Sequence, residues 1–250
     1  MRCLPETIRN YIIIHSENSI RSWFDRLYKQ KQLNSMRHID AYPVYLDYLE
    51  VHQNKKLLDV GCGPGLLLKA AQQRGLQTYG IDLSPEAVKI ASHTSPDSKI
   101  ELGSVTQIND PDKSFDYITC IGVLEHFLDM DKSISELKRV AKDTVQYCIM
   151  VPNSRTIYWN IAKTFSRSHR ESNENANSLE EWQDLFSNYG FKIVNIHRDD
   201  WQIRKFFKFF GLGSLKKLIE TTKTVVRKLI PLKFAHQFIF IMEKSEHVSE

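Results

Sequence analysis

The sequence predicts an α/β fold: a doubly wound, mostly parallel seven-stranded sheet with helices on both faces, extended by an N-terminal and an inserted helical cap. Three observations carry this expectation. From residue 55 onward, short continuous apolar runs alternate with segments of helical periodicity, as strands buried on both faces and joined by crossover helices require. The stretch KKLLDVGCGPGLLLKAA, Lys55 to Ala71, sets a glycine-rich turn between a strand pattern and a helix pattern, the arrangement that presents backbone N–H groups to a nucleotide. Helix starts also carry capping side chains, and helix ends carry glycine.

Element by element, KLLDV (56–60) reads as a buried strand, and LLLKAAQQR as a helix that Gly75 ends. QTYGID (77–82) is the second strand; Ser84 and Pro85 then open a helix as N-cap and first-turn proline. KIELGS (99–104) and FDYITCI (115–121) are the third and fourth strands. A helix from Asp131 places Ile134, Leu137, Val140 and Ala141 on one face, and VQYCIMV (145–151) is the fifth strand. SLEEWQDLFSNYG begins with a capping box, Ser178 to Glu181, and closes on Gly190. FKIVNIH (191–197) and HQFIFIM (236–242) are the sixth and seventh strands, and SRSHRESNENANS (166–178) reads as a polar loop. The chain thus divides into a helical, aromatic cap (1–54, with Trp23, Phe24, Tyr28, Tyr42 and Tyr45), an α/β core (55–198), a basic amphipathic lid (199–235), and a last strand with its tail (236–250).

Length and composition narrow the class. A chain of 250 residues supports one well-buried core with a small appendage. No window has the apolar length that spans a bilayer, and YIII near the N-terminus is too short for a secretory signal, so a cytoplasmic protein is expected. Cys3, Cys62, Cys120 and Cys148 share neither metal-site nor disulfide spacing, so no metal is expected. Residues 200–234 hold nine Lys/Arg against two Asp/Glu, while the chain carries only +4 in all. The basicity is one local segment rather than a nucleic-acid footprint.

The glycine turn discriminates among nucleotides. A nicotinamide or flavin fingerprint is G-x-G-x-x-G, whereas here Gly61, Gly63 and Gly65 alternate and Leu66 fills the sixth position. Asp59 precedes the first glycine by two. Its carboxylate repels a pyrophosphate and attracts an ammonium. Both features disfavour a nicotinamide-dependent oxidoreductase.

The ordered set LLDVGCGPG, GIDLSPEAV and FDYITCIGVLEHF resembles the class I S-adenosylmethionine-dependent methyltransferase family over roughly residues 55–152, and more loosely through LEEWQDLFSNYGFKIV. The resemblance implies that Gly61, Cys62, Gly63 and Gly65 form the turn under the methionine and ribose parts of S-adenosylmethionine, with Asp59 near its ammonium. Asp82 would accept both ribose hydroxyls, Leu83 would pack on the adenine, and Cys120, Ile121 and Gly122 would line the methionine portion. After Gly103 the family often has an acid that accepts from the adenine amino group; this chain has Ser104, whose neutral hydroxyl is a weaker acceptor, with the Val105 N–H available to the ring. Cys62 reads as a small loop residue rather than a nucleophile, since nothing in the sequence activates it.

The acceptor is constrained mainly by what is missing. There is no [DNS]-P-P-[YFW] run at the fourth strand's end, no Pro-Cys pair at Cys120, and no magnesium-binding Asp there, which argues against base methylation and catechol-type chemistry. VLEHF (123–127) is similar to family members acting on small molecules and quinone or lipid-like acceptors, so transfer to oxygen is expected. His126 is the general-base candidate, or a residue that packs the following helix and only shapes the pocket. Glu125 either orients His126 or faces solvent, and Asn153 is another pocket-facing candidate. The product would be S-adenosylhomocysteine. The alternative is a non-catalytic S-adenosylmethionine-binding regulator of the same fold. In 200–234, Ile203, Phe206, Phe207 and Phe210, then Leu215, Leu218, Ile219, Val226 and Leu229, form two apolar stripes among lysines. They predict a lid over the substrate pocket, a contact with an anionic membrane surface, or both.

Overall fold

The computed structural model describes residues 16–156, 175–199, 201, 215–229 and 231–245. Helix α1 (Glu17–Lys31) starts at Ser16, whose hydroxyl accepts the Ser19 N–H at 3.2 Å while Ser19 Oγ accepts the Ser16 N–H at 2.9 Å. Each serine thus satisfies a backbone donor that the first turn leaves open. Two short 3-10 turns, Gln32–Ser35 and Ile39–Ala41, lead into α2 (Pro43–Tyr48). The core then alternates: β1 (Lys56–Val60), α3 (Leu66–Gln72), β2 (Gln77–Asp82), α4 (Pro85–Thr94), β3 (Lys99–Leu102), β4 (Phe115–Ile121), α5 (Met130–Val140), β5 (Ala141–Pro152), α6 (Leu179–Asn188), β6 (Phe191–Arg198), α7 (Lys216–Leu229) and β7 (Gln237–Lys244).

The seven strands form one sheet in the order β3-β2-β1-β4-β5-β7-β6. Strands β1 to β5 are parallel, and β7 enters antiparallel between β5 and β6. Because side chains alternate across a strand, neighbouring residues define two cores. Leu57, Tyr117, Cys148 and Ile241 pack under α2 and α3, with Tyr45, Leu46 and Leu67. Leu58, Ile118, Ile149 and Phe240 pack against α5 and α6, with Leu137, Trp182 and Phe186. Helices therefore cover both faces, as expected.

The differences from expectation are local. Strand β3 stops at Leu102, so Gly103 and Ser104 leave the ladder. Strand β5 begins at Ala141, which is extended (φ −81°, ψ 136°) and pairs with Phe115 rather than continuing the helix face. The first lid helix, expected around 203–210, and the polar stretch up to residue 174 lie outside the described residues. The second helix expected in this segment is α7. No helix among the described residues is long and apolar enough to cross a membrane.

Candidate active site

The order of the strands reverses between β1 and β4, and in open α/β sheets ligands bind beyond the carboxyl ends of the strands at such a point. A cavity of about 340 Å³ opens there. Its floor is the turn after β1. Gly61, Gly63 and Gly65 all have positive φ (64°, 50° and 77°), which L side chains adopt only with strain. A Cβ on Gly61 would stand 2.5 and 2.6 Å from the Val123 methyls. The turn is tied to β2: the Gly61 and Cys62 N–H groups donate to the Ile81 carbonyl at 2.8 and 3.1 Å, and the Gly63 N–H donates to Asp82 Oδ2 at 2.8 Å.

Two carboxyls dominate the chemistry of the floor. Asp82 also accepts the Ser84 N–H on Oδ1 at 2.9 Å. An ionised carboxylate has about four lone-pair sites, so each oxygen keeps one for a ligand hydroxyl. Burial raises the Asp82 pKa to about 6, against the lowering effect of those backbone donors. Asp59, buried at the end of β1, accepts the Thr119 hydroxyl at 2.7 Å. Burial raises it to about 7, again opposed by its hydrogen bond, with Asp82 adding repulsion. Two buried carboxyls with no cationic partner among the described residues form a site that favours a ligand carrying positive charge and hydroxyl donors.

Ten of the twelve sequence-predicted site residues line this cavity: Asp59, Gly61, Cys62, Gly63, Asp82, Leu83, Ser104, Val105, Ile121 and His126. Gly122 joins them. Gly65 and Cys120 do not. Gly65 is the N-cap of α3, its Cβ position 3.0 Å from the Ala91 side chain, so it serves helix packing. Cys120 points into the α5–α6 core and is fully buried there. Burial pushes the Cys62 thiol well up, with Asp82 and Asp59 adding to the shift, which keeps it protonated. Asn153 is a structural bridge: its amide donates to the Lys233 and Ala235 carbonyls at 2.9 and 2.7 Å and accepts the Arg155 N–H at 3.0 Å. Glu125, within the 3-10 turn Leu124–His126, is buried rather than facing solvent and does not line the cavity. His126 does face it, and its ring meets Phe24 edge-on at 5.3 Å.

The N-terminal cap, expected from its aromatics to help build a substrate chamber, supplies one wall. Helix α1 contributes Glu17, Ile20, Phe24 and Tyr28, and the following segment adds Met36 and Tyr42. The Tyr28 hydroxyl lies 3.0 Å from where a Gly63 Cβ would sit. The i, i+3, i+7 spacing of Glu17, Ile20 and Phe24, with Tyr28 four further on, marks one helical face, but periodicity alone does not say what that face covers.

The methyltransferase domain family matches residues 30–196, about two thirds of the sequence. The chain belongs to this family. The methyltransferase domain is also similar to the ubiquinone biosynthesis O-methyltransferase of Xanthomonas campestris pv. campestris (strain B100), 37% identical over 115 residues, 43% of this chain and 46% of that protein. The chain thus spans about half the length of the curated relatives it matches. Among solved structures, the 1,6-didemethyltoxoflavin-N1-methyltransferase of Burkholderia thailandensis, bound to S-adenosylhomocysteine, superposes with a TM-score of 0.64 at 14% identity, over 94% of this chain and 93% of that one. The geranyl diphosphate C-methyltransferase of Streptomyces coelicolor A3(2) superposes with a TM-score of 0.64 at 14% identity, over 91% and 97%. These likenesses show a shared fold. Their names attach methyl groups to nitrogen and carbon, so fold does not select the attacked atom. The cavity of this methyltransferase domain suits S-adenosylmethionine: Asp82 retains two acceptor sites for a diol, Asp59 offers charge to an ammonium, and the glycine turn leaves no Cβ in the way.

Proposed function

We propose that the protein transfers the methyl group of S-adenosylmethionine to an oxygen of a small, largely apolar acceptor. The observation that carries this reading is the pairing, in one cavity, of Asp82 and Asp59 on the floor with His126 and an aromatic wall opposite. Asp82 would hold the ribose hydroxyls, Asp59 the ammonium, and Leu83 and Val105 the adenine ring. When bound, S-adenosylmethionine supplies an activated methyl group and leaves as S-adenosylhomocysteine. The chain then has two tasks, to align the acceptor and to remove its proton. His126 accepts the proton of the acceptor hydroxyl as the oxygen is methylated. Phe24, Ile20 and Val123 keep water from the site. Oxygen as the attacked atom is supported by the O-methyltransferases that the domain matches.

A membrane surface as the source of the acceptor is supported by α7. Leu218, Val225 and Leu229, 46%, 46% and 75% exposed, recur at spacings of seven and four residues and share one face. An apolar face on a lysine-rich helix suits an anionic bilayer.

The test uses methyl-labelled S-adenosylmethionine with a lysate from the source organism, followed by organic extraction and an Asp82→Ala control. Protein-dependent label in the organic phase, lost in the control, supports a lipid or quinone-like acceptor. Label confined to the aqueous phase rejects it in favour of a polar acceptor. Binding of S-adenosylmethionine with no label transferred to any phase would favour a regulatory protein.

A further inference from the structure

Ser104 stands where related methyltransferases often carry an acid, and the structure shows that its hydroxyl is fully committed within the protein. It donates to Glu17 Oε1. It also accepts the Thr106 N–H at 3.2 Å and lies 2.8 Å from Thr106 Oγ1. Since the Ser104 proton goes to Glu17, the Thr106 hydroxyl must be the donor in that last contact. One hydrogen and two lone pairs are all a hydroxyl has. Ser104 is therefore left with nothing to offer an adenine amino group.

Glu17 is the opposite case. Its carboxylate accepts a hydrogen bond from Ser104 and keeps further lone-pair sites on the wall of the same cavity, which Leu83, Val105 and Thr106 also line. A carboxylate only accepts, so it selects a ligand amino group and rejects a carbonyl in the same place. The residue comes from α1, ahead of the part of the chain that matches the family.

Glu17 is also held in place. The capping box at Ser16 orders its turn, and a negative side chain in the first turn is favoured by the helix dipole. Farther along α1, Asp25 Oδ1 accepts the Ser84 hydroxyl and, at 3.2 Å, the Glu86 N–H. Tyr28 packs over the glycine turn. The helix is thus anchored at two points, the β2–α4 junction and the turn after β1.

We propose that Glu17 reads the exocyclic amino group of the cofactor's adenine, so that α1 supplies the acid which the position after Gly103 lacks. The inference rests on the reading of the cavity as an S-adenosylmethionine site. It makes α1 part of the nucleoside site and Glu17 a specificity-determining residue.

The test compares, by calorimetry at fixed salt, the binding of S-adenosylhomocysteine and of its 6-oxo analogue S-inosylhomocysteine to the wild type, Glu17→Ala and Glu17→Gln. The wild type should prefer the adenosyl ligand by about tenfold or more, the range of a charge-assisted hydrogen bond. Glu17→Ala should bring the two affinities within about threefold. Glu17→Gln should also narrow the ratio, because its amide can donate to the 6-oxo group. A ratio unchanged in Glu17→Ala overturns the proposal, including the case where both ligands weaken equally, which is what a merely structural Glu17 would do. If the wild type binds neither ligand, the reading of the site fails, and the proposal with it.

Discussion

At the scale of single residues, the two buried carboxyls make the site sensitive to pH. Both Asp59 and Asp82 have folded-state pKa values raised above the ordinary carboxyl value, to about 7 and about 6, first through burial. The folded protein therefore holds more protons than the unfolded chain between about pH 4 and 7, and stability falls as the pH rises through that window. For Asp82 alone the loss is on the order of 3 kcal/mol. Thermal melts of the ligand-free protein should show Asp82→Asn flattening this decline, and a wild type whose stability rises from pH 5 to 7 would contradict it. An ammonium ligand favours the ionised form of Asp59. S-adenosylhomocysteine affinity should accordingly increase as the pH climbs from 6 to 8, and Asp59→Asn should remove that slope in a binding titration. Gly61→Ala carries a different liability, positive φ and a Cβ within 2.6 Å of both Val123 methyls. It should cost roughly 2 kcal/mol in urea denaturation and weaken ligand binding.

At the scale of elements, α1 and the segment after it are fastened by polar contacts as well as apolar ones. Arg37 forms a 2.9 Å ion pair with the buried Asp199, donates to the Tyr45 hydroxyl at 3.0 Å and also meets Gln237 at the start of β7. These bonds join the N-terminal cap to the β6–β7 end of the sheet. Arg37→Ala strands the Asp199 charge away from water and should destabilise by about 3 kcal/mol, read as a lowered urea midpoint. The double variant Arg37→Met, Asp199→Leu should recover most of that loss, because no charge then remains unpaired. The cap was visible in the sequence only as an aromatic-rich helical stretch. Glu17 and Asp25 showed no pattern there, since their partners Ser104, Ser84 and Glu86 lie some sixty or more residues downstream.

At the scale of the whole molecule, one sheet supports two opposed cores, and the C-terminal strand completes both. Phe238 and Phe240 fill one side, and Ile239 and Ile241 the other. Phe240→Ala should cost about 3–5 kcal/mol, the range for emptying a buried aromatic site. The exposed apolar face of α7 leads to a different measurement. The wild type should co-sediment with vesicles containing anionic lipid and much less with neutral ones. Leu229→Asp should reduce the bound fraction while leaving S-adenosylhomocysteine binding unchanged. Equal sedimentation of wild type and variant would rule out α7 as the contact.

The sequence by itself determined the α/β class, the run of strands and helices from residue 55, and the chemistry of the floor. Those features are local: continuous apolar runs and period-3.6 patterning, a capping box at Ser178 and an N-cap at Ser84, and a glycine turn directly after a strand carrying Asp59. Most of the predicted cavity residues cluster at strand ends, because a parallel sheet brings its carboxyl ends to one side whatever the tertiary details. Tertiary structure alone decided the rest. Whether Cys120 or Ile121 faces the cavity depends on the pleat of β4 against its neighbours. Asn153 is a bridge because the Lys233 and Ala235 carbonyls arrive beside it from eighty residues away. The substitution of Ser104 looked like a weakened adenine contact. Only the packing of α1 as one wall of the cavity set Glu17 against that serine, and such long-range juxtaposition leaves no periodic trace in a single chain.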